Sequence, residues 1–226
     1  MSTMWDIDND YHAGELLELT IDKQYQDIID KLLDVELDTF SKIIEDLKDL
    51  PYLKQVLGFC RIGFGIVNLC HVRKIARFIK ASGKLSDIEK DRYLSSLSKK
   101  DKSRISGFLT NLLFLFEDEY KAEIMGQIYS ARVRNEINDE EMLRLCSVLN
   151  RLFITDLDYL GIYTKPNNYN GYITDNLYAA GLLEQLSSVE ESGIEEELLS
   201  VGVRKYQLNK MGDILFKILS KSSGTE

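Results

Sequence analysis

The chain has 226 residues, 44% of them apolar and 29% charged, with two prolines, a composition that excludes a disordered protein and leaves room for a buried core. Its three cysteines form no CxxC pair and its two histidines, His12 and His71, lie far apart, which points to buried free thiols in a reducing compartment. The net charge of −9 falls in blocks: residues 1–50 hold 14 acids and 4 bases, residues 51–104 hold 4 and 13, and residues 105–226 hold 19 and 11.

Residues 1–20 read as an irregular, acidic N-terminus. Asp6, Asp8 and Asp10 alternate as in a calcium loop, but Tyr11 stands where that loop needs glycine and Leu17 where it needs glutamate. No metal or other cofactor is expected, and with no apolar leader the protein is expected to be cytoplasmic. From Tyr25 to Leu50, Ile28, Ile29, Leu32, Leu33, Phe40, Ile43, Ile44 and Leu47 recur at three- and four-residue steps, an amphipathic helix closed before Pro51.

Residues 52–80 predict a second helix, almost continuously apolar to Cys70 but with Arg61 in its middle. A membrane span needs about 20 apolar residues, so a core helix is the first reading and a membrane-directed segment the alternative. Gly58, Gly63 and Gly65 match no phosphate-binding loop and fit close helix packing. The same helix runs on into Arg73, Lys74, Arg77 and Lys80, with Arg73, Arg77 and Lys80 on one face, and breaks at Ser82-Gly83.

Ser86 and Glu89 form a capping box that opens a short helix, and Lys99, Lys100, Lys102 and Arg104 lie in an expected basic turn. Ile105–Asn135 predicts one long helix with Leu109, Leu112, Leu113, Phe116, Tyr120, Ile124, Ile128 and Tyr129 on its apolar face. Asn138 and Glu141 form a second capping box, for a helix over 139–153, and Thr155 is expected to cap another through Leu160. Thr174 is expected to cap a helix over 175–186, followed by an acidic stretch over 187–199. Residues 203–208 alternate as a short strand, and Asn209 should cap a closing helix with Met211, Ile214, Leu215 and Ile218 inward.

The run Gly-Leu-Leu-Glu (181–184), Lys-Tyr-Gln-Leu (205–208) and Asn-Lys-Met-Gly-Asp-Ile-Leu (209–215) resembles the end of many bacterial winged-helix domains, with Asn209 where threonine is usual and Gly212 matching the glycine. With the basic Arg-Lys-Ile-Ala-Arg-Phe segment (73–78), Lys121–Ile128 and Asp139–Leu145, the chain resembles, over about residues 50–220, uncharacterised bacterial proteins related to the Abi-alpha family. That resemblance implies a place in abortive infection and phage defence.

The expected fold is therefore mainly α, a multi-helix bundle with a small winged-helix-like C-terminal subdomain. Residues 1–20 are the acidic N-terminus, 21–155 the helical domain with its basic segment at 71–104, and 156–226 the winged-helix-like part. The expected wing carries Glu190, Glu191, Glu195, Glu196 and Glu197, and the expected recognition helix has no lysine or arginine; both disfavour duplex DNA. Cys70 and His71 are neighbours but diverge by about 100° on a helix, and no Ser-His-Asp arrangement emerges. The sequence thus predicts a non-enzymatic protein that binds a protein partner, and the resemblance implies that it does so in host–phage conflict. The alternatives are a DNA-binding winged-helix regulator and a membrane-directed effector using residues 52–80. The candidate anion- or partner-binding residues are Arg73, Lys74, Arg77, Lys80, Lys99, Lys100, Lys102 and Arg104. Nucleic acid is a second candidate partner for residues 71–104, a membrane surface a third, and no oligomeric state is implied.

Overall fold

The computed structural model of the chain describes residues 65–82, 85–169, 171–186 and 204–223. The acidic N-terminus, the helix expected over 25–50, residues 52–64 of the apolar stretch and the acidic run 187–199 lie outside the described residues. Among the described residues the chain is mainly helical, with seven α-helices, one 3-10 helix and one two-stranded sheet. It divides into two compact units, residues 1–146 and 147–226.

In the first unit the helices are α1 (Gly65–Ser82), α2 (Asp87–Ser96), α3 (Lys99–Leu115) and α4 (Glu119–Val133), followed by α5 (Asp139–Arg151), inside which the division falls. Local capping sets most of their starts. The Ser86 hydroxyl accepts from the Glu89 amide at 3.3 Å while the Glu89 carboxylate accepts from the Ser86 amide at 2.9 Å. Asn138 and Glu141 repeat this reciprocal pair at the head of α5, both bonds at 2.9 Å.

Two expectations fail in this stretch. The basic segment 99–104 is not a turn but the first turns of α3, because Ser98 caps it by accepting from the Asp101 amide. The long helix expected over 105–135 is broken: Phe116 ends α3 in an extended conformation, and Asp118 opens α4 by accepting from the Tyr120 amide. The Phe116 carbonyl accepts from the buried ammonium of Lys74 on α1. Tyr120, expected on the apolar face, is 58% exposed as a result.

α4 is buried on several sides and packs mainly against α1. At their closest approach a Cβ on Gly126 would lie 2.5 Å from the Phe78 carbonyl oxygen and 2.7 Å from the Ala81 Cβ, so only glycine fits. Phe78, Tyr129 and Tyr93 stack in sequence through the core at 5.6 and 5.9 Å between ring centres. Asn135 ends α4 with φ +59°, and the Glu136 amide donates to the Ala131 carbonyl, the left-handed cap that asparagine tolerates.

In the second unit a 3-10 helix (Ile154–Thr164) leads to α6 (Tyr172–Ala179), strands β1 (Leu183–Leu186) and β2 (Lys205–Leu208), and α7 (Lys210–Ser223). Thr155 caps nothing; Phe153 holds the cap position without a side-chain bond. The helix expected over 175–186 starts earlier and stops sooner. Thr174 is buried inside α6 rather than at its head, and Gly181 at φ +85° turns the chain into β1, the Leu182 amide donating to the Leu177 carbonyl.

β1 and β2 pair antiparallel, Leu183 opposite Leu208 and Leu186 opposite Lys205. The amide and carbonyl of Tyr206 both bond Asn167, so Asn167 lies along the other edge of β2. Asn209 caps α7 as expected, its side-chain oxygen accepting from the Met211 and Gly212 amides at 2.9 and 3.0 Å, while its side-chain Nδ2 donates to the Gly181 carbonyl. Leu215 and Ile218 are buried, whereas Met211 and Ile214 are half-buried.

Candidate functional site

The basic residues singled out by the sequence occupy two different situations. Arg73 and Arg77, one turn apart on α1, both reach Glu119 in the first turn of α4: Arg73 Nε lies 3.0 Å from Oε1 and Arg77 Nε 2.9 Å from Oε2. Arg77 also approaches Glu123 at 3.5 Å, and its guanidinium sits 4.9 Å over the Tyr120 ring. Lys74 is buried against Phe116, and burial pulls its pKa down from the ordinary lysine value. Lys80 is exposed at the end of this face.

The other half lies at the start of α3. Lys99, Lys100 and Arg104 are exposed and Lys102 is half-buried; Arg104 stays within 3.7 Å of Asp101. The sequence also expects an acidic helix over residues 25–50. That helix lies outside the described residues, and among the described residues the acids that meet Arg73 and Arg77 are Glu119 and Glu123. Their signal in the sequence is faint, since the pairs join residues 42 to 46 positions apart.

Of the cysteines, Cys146 is buried, and burial pushes its thiol well up from the ordinary range, but Cys70 is exposed, against expectation. Cys60 lies outside the described residues. Among the described residues, no three His, Cys, Asp or Glu side chains gather as a metal ion would require, and no helix is long and apolar enough to cross a membrane.

A different surface emerges in the second unit. α6 turns Ile173, Thr174 and Leu177 inward and leaves Tyr172 75% exposed and Tyr178 46% exposed, with Asp175 exposed between them. At about 100° per residue these three span an arc of about 120° on one side of the helix. Its rotation is held from within. The Thr174 hydroxyl lies 2.7 Å from the Tyr163 hydroxyl and donates to the Tyr169 carbonyl at 2.9 Å, and the Asn176 amide donates to buried Asp156 at 3.0 Å. Tyr178 packs edge-on against Tyr206, 5.5 Å between centres.

The approach to α6 is ordered in the same way. The Asn167 side chain accepts from the Tyr169 amide at 2.8 Å, and Tyr169 is 45% exposed. From Pro166 to Leu186 the chain contains no lysine or arginine. The spacing Tyr172-x-x-Asp175-x-x-Tyr178 is the signal for this face in the sequence, and the expected helix over 175–186 leaves Tyr172 outside it.

Compared with protein-family models, curated proteins and solved structures, the chain finds no match. The residues themselves therefore carry the functional reading.

Proposed function

We propose that the chain is a non-enzymatic, cytoplasmic binding protein whose C-terminal unit is a winged-helix variant that contacts a protein partner through α6. The observation that carries this is the exposed Tyr172–Asp175–Tyr178 face of α6, aromatic and anionic where a DNA-reading helix would be cationic. Tyrosine gives large, stiff contact area at low entropic cost, which is why it is enriched where proteins meet.

The order α6, β1, β2, α7, with Asn167 alongside β2, supports the winged-helix reading. So does the role of the motif residues. Gly181 makes the helix-to-strand turn, Asn209 bonds back to it, and a Cβ on Gly212 would lie 2.1 Å from the Leu182 carbonyl oxygen. The setting proposed, bacterial host–phage conflict as defence or counter-defence, rests on the resemblance to Abi-alpha-related proteins.

The test uses the full chain and a Y172A/Y178A variant. Tagged wild-type protein, expressed in a bacterial host with and without phage challenge, should retain a partner that the variant does not, and should change plaquing where the variant does not. Capture and plaquing indifferent to both tyrosines would remove this reading.

A further inference from the structure

The chain builds one arrangement twice in its first unit. Arg77 lies 4.9 Å over the Tyr120 ring while Glu119 and Glu123 take its N–H groups. Arg132 lies 4.6 Å over the Tyr93 ring while Asp139 accepts from its Nε at 2.5 Å, and the Tyr93 hydroxyl donates to the same carboxylate at 3.1 Å. In both, a flat, weakly hydrated guanidinium rests on an electron-rich ring and a carboxylate beside the ring fixes its orientation.

α6 presents the ring and the carboxylate without the arginine. Tyr172, Asp175 and Tyr178 follow one another at three-residue steps, close enough on a helix for adjacent side chains to act on one group. No described residue supplies a cation to Asp175, and none could come from residues 166–186. The Tyr206 contact at Tyr178 and the two internal bonds of Thr174 set this face before any partner arrives, which lowers the ordering cost of binding.

We infer that the Tyr172–Asp175–Tyr178 face of α6 binds an arginine side chain presented by a partner protein. This rests on the protein-binding reading and names the chemistry of its contact. Arginine is favoured over lysine because the planar guanidinium can cover a ring and bond a carboxylate at once. Nucleic acid is disfavoured because Asp175, with exposed Glu184 on the adjoining strand, opposes phosphate although tyrosines can stack on bases.

The experiment is a titration of the full chain carrying 13C-labelled tyrosine, with ring signals of Tyr172 and Tyr178 assigned through Y172F and Y178F. Three probes are used: a capped pentapeptide with one central arginine between leucines, its lysine counterpart, and a short oligothymidine. The arginine peptide should move both ring signals saturably, the lysine peptide should bind about threefold or more weakly, and D175N should weaken the arginine peptide by about three- to tenfold. Asp175 is exposed, so D175N should keep the wild-type amide spectrum. Ring signals unmoved by the arginine peptide, equal binding by D175N, or a preference for the oligonucleotide would each overturn the inference. A flat titration together with tyrosine-dependent partner capture removes the arginine and leaves the protein-binding reading in place; capture indifferent to the tyrosines removes both.

Discussion

Arg77 and Glu119 stand 42 positions apart in the chain and 2.9 Å apart in space, Nε to Oε2. Arg73 reaches the same carboxylate from one turn earlier, so a single glutamate in the first turn of α4 ties down two cations of α1. The helix N-terminus favours that carboxylate by its own dipole. These side chains are about three-quarters covered, which makes the contact stronger than an exposed ion pair.

Reversing both arginines, R73E/R77E, should therefore destabilise the protein by about 3 kcal/mol, since it removes charge-assisted bonds and sets like charges together. Adding E119K and E123K should restore part of that loss. Equilibrium denaturation of the double and quadruple variants measures it. Recovery from reversing Asp30, Asp34 or Glu45 instead would place the partner acids in the helix expected over 25–50.

Gly212 and Gly161 give a paired test in the second unit. A Cβ at Gly212 collides with the Leu182 carbonyl, whereas one at Gly161 meets only the Phe216 ring at 3.5 Å, an ordinary contact. G212A should cost about 1–3 kcal/mol through forced displacement of α7, and G161A should stay within about 0.5 kcal/mol of wild type. Equal effects in thermal melts would contradict the close approach of α7 to the α6–β1 corner.

Leu215 is fully buried on the inner face of α7. Its replacement by alanine should cost about 2–5 kcal/mol, the lost transfer energy plus the cavity left behind. A melting curve indistinguishable from wild type would exclude that packing.

His71 predicts a pH dependence. Burial and then the neighbouring charge of Lys74 hold its pKa below the ordinary 6.5, and its Nδ1 is buried with no hydrogen-bond partner among the described residues. The unfolded chain takes up a proton near pH 6.5 that the folded chain refuses, so this contribution to stability is complete above pH 6.5 and declines as the pH falls below it. H71F should flatten the decline, because the ring already packs edge-on to Phe114 at 4.5 Å. Denaturation at pH 7.5 and 5.5 reads the difference; the carboxylates held low by their bonds, Glu89 and Glu117, act in a more acidic window.

What could be read from the sequence was local. Ser86 with Glu89, Asn138 with Glu141, and Asn209 each satisfy backbone groups within three residues, so their helix starts were legible. The break between α3 and α4 was not, because the Phe116 carbonyl finds a donor in Lys74, 42 positions away. The tyrosine face of α6 was missed for a related reason. Thr174 resembles a cap until Tyr163 and the Tyr169 carbonyl are seen to engage its hydroxyl inside the helix.

Gly126 and Gly212 have a consequence for descent. At each, the first carbon of any side chain would enter space already held by backbone oxygen, of Phe78 in one case and Leu182 in the other. Neither obstacle can be relieved by choosing a smaller or softer side chain. Relatives that keep this architecture should hold glycine at both places through long divergence. The α6 tyrosines, facing outward and answerable only to whatever they bind, are free to change whenever that partner does.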